Sequence, residues 1–163
     1  MSLTWACDPG LSGAIAYTDG ETIEVWEMPV IQVAGRREII IPKLVSIFLQ
    51  AERAKPHTGI RRLYLERVSA RPGQGVVSMF RFGESYGIIR GVCAGRGIPV
   101  ELVTPQAWKK AMKVPSGKDS GRFRAMEEFP MHTELFERKK DHGRADAALL
   151  ALYGRRKEGN ETH

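Results

Sequence analysis

The chain has 163 residues, a formal net charge of +6 and 42% hydrophobic residues. This length fits one domain with a well-buried core and is too short for two domains of ordinary size. No apolar run approaches the roughly 20 residues that a membrane-spanning helix needs, and the first residues lack the charged and apolar regions of a secretory signal. The composition therefore excludes a membrane-spanning class, and two cysteines with four scattered histidines exclude a structural zinc site.

The positive charge favours a polyanionic partner, because cationic side chains that neutralise phosphates release counterions. Part of the excess lies near the C-terminus, where we expect a flexible basic and polar tail at residues 156–163 after a domain of residues 1–155. Cys7 and Cys93 lie in apolar runs, which predicts buried thiols rather than a disulfide. We therefore expect a cytoplasmic protein with a negatively charged partner and no membrane association.

The first half of the sequence begins with three strand-like runs at residues 3–7, 13–19 and 22–30. The Asp-Gly turn between the last two predicts an antiparallel meander. Residues 42–55 place apolar side chains at helical spacing and predict a helix with a proline near its start. Residues 61–68 predict a fourth strand, whose apolar run ends at Glu66.

The second half begins with a loop rich in glycine and proline, followed by a helical pattern from Val76 to about Gly95. Glycines spaced four apart within it predict close packing against the sheet or a second subunit. A fifth strand is expected at residues 99–105. Two shorter helices then flank a glycine-rich loop, and a last helix runs from about His142 to Arg155.

Three antiparallel strands precede two strands that are reached through helices. This order predicts an α/β fold with a five-stranded mixed sheet flanked by helices.

Three acidic residues occupy unusual places in this pattern. Asp8 ends the first strand, Glu66 ends the fourth strand, and Asp146 lies in the small-residue start of the last helix. If the two strands are parallel neighbours, their acids emerge at one sheet edge, where the last helix could bring the third. Gathered carboxylates repel each other unless a cation lies between them, and their hard oxygens suit Mg²⁺ or Mn²⁺. Two such ions about 4 Å apart would clamp the attacking and leaving oxygens of a phosphodiester.

Each acid also has a simpler structural explanation. Asp8 starts an Asp-Pro-Gly turn, Glu66 could pair with a neighbouring arginine, and Asp146 could interact with the dipole of its helix. One metal site explains all three positions together, in a chain whose positive charge already favours a phosphate-bearing partner.

Four segments together resemble the RuvC family of Holliday-junction resolvases, and especially its small bacteriophage-type members. They are residues 7–16, 63–87, 99–112 and 141–154. The most specific part is "PGQG" followed by "MFRFGESYG" and later "TPQAWK". The resemblance implies a ribonuclease-H-like fold and a homodimeric nuclease, of a bacterial cell or encoded by a phage, that uses divalent metal to cut four-way DNA junctions symmetrically.

The resemblance assigns Asp8 and Glu66 to the first two catalytic acids and Asp146 to the last. The family's remaining metal ligand is an Asp or His three or four residues before the last acid. His142 lies four residues before it and would share its helical face. Asp141 lies five before it and could act as a helix N-cap, although the family's preference for an acid keeps it a candidate. Both residues therefore stay open as the fourth member of a site that holds two Mg²⁺ or Mn²⁺ ions.

Basic residues near these acids are candidates for DNA binding. Lys109 and Lys118 match positions at which RuvC-like proteins place lysines against the phosphate backbone, where they could stabilise charge on the scissile phosphate. Arg67, Arg71 and Arg81 flank the loop after Glu66 and could line a DNA groove or be ordinary surface charges.

The loop at residues 67–75 departs from the cellular RuvC enzymes, which carry an aromatic wedge there. Phe80 and Phe82 come later, in the predicted helix, and we expect them to face the core or a dimer interface. The departure leaves three readings open. They are a junction resolvase that makes paired nicks, a broader nuclease of forks and flaps, and a junction-binding protein that does not cut.

Overall fold

The computed structural model describes residues 3–54, 60–67, 69–70 and 72–161. The described residues form seven β-strands: β1 (Leu3–Cys7), β2 (Ala14–Thr18), β3 (Ile23–Glu27), β4 (Val30–Val33), β5 (Arg36–Ile39), β6 (Ile60–Glu66) and β7 (Val100–Val103). They also form five α-helices: α1 (Ile41–Ala54), α2 (Val76–Gly95), α3 (Pro105–Ala111), α4 (Ser120–Glu128) and α5 (His142–Glu161). Two short 3-10 helices, Pro130–Leu135 and Lys139–Asp141, precede α5.

Five of the strands form one mixed sheet in the order β3-β2-β1-β6-β7. β1 pairs antiparallel with β2, and β2 pairs antiparallel with β3. On its other side β1 pairs parallel with β6, which pairs parallel with β7. The predicted α/β fold with a five-stranded mixed sheet flanked by helices is confirmed.

The alternation of side chains along β1 separates two apolar layers. Leu3, Trp5 and Cys7 face a layer that includes α1 and α2, whereas Ala6 faces the layer built around α5. Cys7 and Cys93 are both buried free thiols, as the sequence predicts.

Small residues bring α5 unusually close to the sheet. A Cβ atom added at Gly154 would lie 2.4 Å from the ring of Tyr64 on β6, so only glycine fits there. The close approach fixes the depth at which α5 lies, and with it the positions of the polar side chains near the start of this helix.

The sequence prediction is wrong for the single strand at residues 22–30. The strand ends at Glu27, and β4 and β5 form a separate two-stranded hairpin. Pro29 has no N–H group with which to continue a strand ladder, and the hairpin turns through Ala34 and Gly35, both at positive φ. Residues 31–38 are exposed, so the hairpin lacks the apolar alternation by which a strand is recognised.

The packing expected for α2 also differs in part. A Cβ atom added at Gly83, Gly87 or Gly91 would meet nothing within 4 Å, so these glycines do not pack against the sheet. Phe80 and Phe82 are 73% and 36% exposed and do not face the core of this chain. The alternative, a second subunit, stays a prediction.

The C-terminal helix is longer than the sequence predicts. α5 continues to Glu161, so the described part of the expected flexible tail is helical. There Arg156 pairs with Glu128 at 2.6 Å and Lys157 pairs with Glu101 at 2.5 Å. None of the helices in the described ranges has the length and apolar character needed to cross a membrane.

Candidate active site

The parallel pair β1 and β6 brings two acids to the same sheet edge. Cys7 lies opposite Leu65 in the register of the pair, and each is followed directly by an acid, Asp8 or Glu66. The backbone N–H of Asp8 donates to the carbonyl of Ala14 at 3.0 Å, which holds Asp8 beside the end of β2. The sequence prediction that these acids emerge together is therefore met by the strand register.

Helix α5 approaches the same edge with its N-terminal turns. A Cβ atom added at Gly143 would lie 2.3 Å from the carbonyl oxygen of Ser12, in the loop that follows Asp8. Glycine at this position lets the helix lie against the loop. Asp146, about one turn further along α5, is thereby brought into electrostatic contact with Asp8.

The electrostatics of the three acids show that they act on one another. Burial, together with the charges of Glu66 and Asp146, raises the pKa of Asp8 to about 7. The N–H of Gly10, which donates to Asp8 Oδ1 at 3.2 Å, and the charge of Lys109 work in the opposite direction. The pKa of Asp146 is raised to about 6 by burial, against the effect of Lys109 and with that of Glu66. Carboxyl groups in this state lack sufficient positive charge around them.

Helix α3 supplies contacts to two of the three acids from consecutive residues. Trp108 is fully buried, and its indole Nε1–H donates to Glu66 Oε2 at 2.8 Å. The Nζ atom of Lys109 lies 4.0 Å from Asp146 Oδ2. Sequence reasoning identified Lys109 but missed Trp108. The available signal was a tryptophan next to that lysine in a short helix that begins at the same sheet edge.

Two open cavities adjoin the acids. One, of about 450 Å³, is lined by Glu66 together with Arg67, Phe82 and Gln106 among others. A second, of about 470 Å³, is lined by residues from α3, the loop after it, α4 and α5, including Lys109, Lys118, His142 and Asp146. Glu66 and Asp146 therefore each border an open cavity, whereas Asp8 is not among the described residues that line either one.

The fold is similar to that of two solved structures. The structure described as Thermus thermophilus RuvC in complex with a Holliday junction substrate aligns with a TM-score of 0.63 at 12% identity, over 98% of this chain and 96% of that chain. A second Thermus thermophilus RuvC structure aligns with a TM-score of 0.59 at 14% identity, over 97% of this chain and 96% of that chain. The chain has the RuvC fold. The ribonuclease-H-like architecture implied by the sequence resemblance is thereby confirmed.

The chain is also similar in sequence to a protein named as a Holliday junction resolvase. The chloroplastic Holliday junction resolvase MOC1 of Chlamydomonas reinhardtii is 27% identical over an alignment that covers 79% of this chain. The chain spans 17% of the length of that protein. No protein-family model matches the chain.

Within this RuvC fold, the two candidates for a fourth metal-site residue lie in different surroundings. His142 is the first residue of α5 and lines the same cavity as Asp146, four residues later. Asp141 is 1% exposed and is bound by Arg138, whose backbone N–H and guanidinium donate to its carboxylate at 2.9 and 2.8 Å. Burial acts to raise the pKa of Asp141, but these hydrogen bonds and the charges of Arg138 and Arg144 outweigh it and hold the pKa below its ordinary value. The structure thus brings His142 to the Asp146 cavity and places Asp141 in an ion-pair network.

The basic candidates are also placed differently on the RuvC fold. Lys109 and Lys118 line the cavity that contains Asp146, and Arg67 lines the cavity beside Glu66. Arg81 lies on α2, where its carbonyl accepts a hydrogen bond from Ser85, and it is not among the described residues that line either cavity. Arg71 lies outside the described residues.

The carboxylates of Asp8, Glu66 and Asp146 suit a divalent metal, although they do not converge on one point. In the part of the chain that the structure describes, no three His, Cys, Asp or Glu side chains are arranged so that they could hold a metal ion as they stand. Asp8, Glu66 and Asp146 instead turn to separate partners on Gly10, Trp108 and Lys109. Carboxylate oxygens are nevertheless the ligands that Mg²⁺ and Mn²⁺ prefer. A cation among them would relieve the repulsion that raises the pKa of Asp8 and Asp146.

Proposed function

We propose that this chain is a divalent-metal-dependent endonuclease that resolves four-way DNA junctions by paired symmetric nicks. The observation that carries the proposal is that β1 and β6 bring Asp8 and Glu66 to one sheet edge of a RuvC fold, where α5 brings Asp146 close enough for its charge to act on Asp8. Because the chain spans 17% of its chloroplastic relative, the proposal rests on this site and not on the activity of that whole protein.

The metal-binding residues in this proposal are Asp8, Glu66 and Asp146, with His142 as the fourth member. They would hold two Mg²⁺ or Mn²⁺ ions, which supply the positive charge that hydrolysis of a phosphodiester requires. Asp141 is left out of the set, because its carboxylate is already bound by Arg138.

Other side chains of the cavities would bind and orient the DNA. Lys109 and Lys118 stand where they could contact phosphates on the Asp146 side, and Arg67 could do so on the Glu66 side. The alternative role for His142, if its imidazole does not bind metal, is to move a proton at the scissile phosphate, since it lies at the Asp146 cavity. These contacts would hold the backbone across the row of acids.

A homodimer is part of the proposal, because a four-way junction offers two equivalent strands and a two-fold protein matches that symmetry. The start of α2 supports it with a surface that a second copy could cover. Val76, Val77 and Phe80 are 82%, 63% and 73% exposed there. We expect sedimentation equilibrium to give a dimer mass, and a monomer at micromolar concentration would contradict this part.

The test is cleavage of an end-labelled synthetic four-way junction in Mg²⁺ or Mn²⁺, with a fork and a linear duplex alongside. Wild type is compared with Asp146→Asn and with Glu127→Gln, a matched change at a carboxylate that is 64% exposed on α4. Gel-shift binding of each substrate is measured in EDTA.

We expect paired symmetric nicks in the junction, lost in Asp146→Asn while binding persists, and retained in Glu127→Gln. Equal cutting of the fork would broaden the substrate to branched DNA in general. Tight binding with no cutting in either metal would overturn the proposed nuclease and leave a junction-binding protein.

A further inference from the structure

We propose that Trp108 is a positioning residue that holds the Glu66 carboxylate in place for metal binding through its indole N–H. This inference rests on the proposed function, since it concerns the same metal site. The observation behind it is the hydrogen bond of 2.8 Å from Trp108 Nε1 to Glu66 Oε2.

The fold fixes the position of this indole. β7 pairs parallel with β6 so that Val103 lies opposite Glu66, and α3 begins two residues after Val103. The hydroxyl of Thr104 accepts from the N–H of Ala107 and caps the helix. Helix α3 therefore starts at the sheet edge where Glu66 ends its strand, and Trp108 lies within its first turns.

The indole ring is enclosed by the core on all sides. Trp108 is fully buried within the α5 layer of the core, together with Val103, Met112 and Phe129. Its rotamer is set by this packing, so its single N–H donor has a fixed direction. A donor fixed in this way holds one oxygen of Glu66 and leaves the other oxygen for the cavity that Glu66 lines.

The hydrogen bond from Trp108 to Glu66 is not a general property of buried tryptophans in this chain. Trp5 is also fully buried, yet its Nε1 atom has no hydrogen-bond partner among the described residues. The indole of Trp108 instead meets an acid of the candidate active site. Because Lys109 lies next to Trp108 and 4.0 Å from Asp146, α3 contacts two of the three acids from adjacent positions.

The physical consequence is a preorganised ligand. A carboxylate that is free to rotate must be ordered when a metal binds, and hydrogen bonds from outside the coordination sphere remove that cost. Loss of such a partner lowers metal affinity by about 10- to 100-fold in well-studied metal sites. Loss of the Trp108 N–H should therefore weaken metal binding without changing how the protein binds DNA in EDTA.

The experiment compares Trp108→Phe with Trp26→Phe and with wild type. Trp26 gives a matched change, because it is a partly buried indole on β3 that stacks on Trp5, in the layer away from α5. Mn²⁺ affinity is measured by isothermal titration calorimetry without DNA, well below the melting temperature of each variant. The Mg²⁺ dependence of junction cleavage and DNA binding in EDTA are measured in parallel.

We expect Trp108→Phe to weaken Mn²⁺ binding by about tenfold or more, to be rescued at high Mg²⁺, and to bind DNA in EDTA as wild type does. Trp26→Phe should match wild type in all three measurements. Equal Mn²⁺ affinity in the two variants would overturn the inference, provided that wild type binds Mn²⁺ and cuts. A wild type that neither binds Mn²⁺ nor cuts would overturn the proposed function itself.

A second measurement needs no folded Trp108 variant. In ¹⁵N-labelled wild type, the indole N–H resonance of Trp108 should shift when Mg²⁺ is added, and Glu66→Gln should remove that shift. An indole resonance that stays in place while Mg²⁺ binds would overturn the inference.

Discussion

Two acids near the start of α5 lie five residues apart and meet opposite surroundings. Asp141 is bound by Arg138 and lies 3.7 Å from Arg144, and both arginines also reach Glu27 on β3. Asp146 has Lys109 at 4.0 Å and feels the repulsion of Glu66. The pKa of Asp141 is held below its ordinary value, whereas the pKa of Asp146 is raised to about 6.

The two acids differ in whether hydrogen bonds and opposite charges balance the carboxylate. This property separates a structural acid from a candidate catalytic one. Asp141, at 1% exposure, is the more deeply buried of the two, but hydrogen bonds and opposite charges compensate its desolvation. The side chain of Asp146 is 25% exposed and faces a cavity with its charge incompletely balanced. A strongly shifted pKa in a side chain that borders open space is typical of functional sites.

Substitution of Asp146, whose charge is incompletely balanced, should lower junction cleavage more than any other change considered. Asp146→Asn should lower junction cleavage by about 10³-fold or more, because it removes a charged metal ligand. It should leave the melting temperature in EDTA unchanged or raised, because it also removes a repulsion. Rates and calorimetric melting curves check both statements. A fall in melting temperature with cleavage preserved would reverse the roles of the two acids.

The paired acid should show the opposite pattern. Asp141→Asn leaves the guanidinium of Arg138 and the charge of Arg144 without their buried partner, at a cost of about 2–3 kcal/mol once the exposure of Arg138 is allowed for. For a chain of this size we expect a fall in melting temperature of about 5–10 °C. At 20 °C the cleavage rate should remain within about twofold of wild type. A folded Asp141→Asn protein that has lost Mn²⁺ binding would return Asp141 to the metal site.

The raised pKa values of Asp8 and Asp146 also predict how the stability of the protein depends on pH. Folding raises the pKa of Asp8 to about 7 and of Asp146 to about 6 from an ordinary 3.8, so protonation favours the folded state. In EDTA their contribution is complete below about pH 4 and is lost as the pH rises through 6 and 7. The melting temperature of wild type should therefore fall between pH 5 and pH 8 by about 10 °C more than that of an Asp8→Asn/Asp146→Asn variant. Mg²⁺ at pH 8 should restore it in wild type alone, and parallel curves for the two proteins would contradict the raised pKa values.

The meeting of Asp8 and Glu66 at one sheet edge could be predicted from the sequence because its signals are local. Asp8 and Glu66 each follow an apolar run directly, and parallel neighbours place such residues at one edge whatever the rest of the chain does. The helical spacing of His142 and Asp146 is equally local, and both line one cavity.

The parts that sequence reasoning missed depend on distant contacts. Arg144 meets Glu27 across 117 positions, and Trp108 meets Glu66 across 42. Contacts between residues so far apart in the sequence leave no periodic pattern from which they could be predicted. The hairpin of β4 and β5 was missed for another reason: its exposed residues lack the alternation that marks a half-buried strand.

Removal of the Lys109 charge beside Asp146 should have a weaker effect on cleavage than substitution of Asp146 itself. Lys109→Met keeps most of the side-chain volume but removes the charge that lowers the pKa of Asp8 and Asp146. Lys110→Met is the matched control, because Lys110 is exposed on the same helix and lines neither cavity among the described residues. We expect Lys109→Met to lower cleavage by about tenfold and to move the midpoint of its pH profile upwards, and Lys110→Met to do neither. A uniform loss of DNA affinity in both variants, with an unchanged pH midpoint, would mean that Lys109 serves only the phosphate backbone. The charge balance at Asp146 would then depend on the bound metal alone, in contrast to Asp141, whose balance is built into the fold by Arg138 and Arg144.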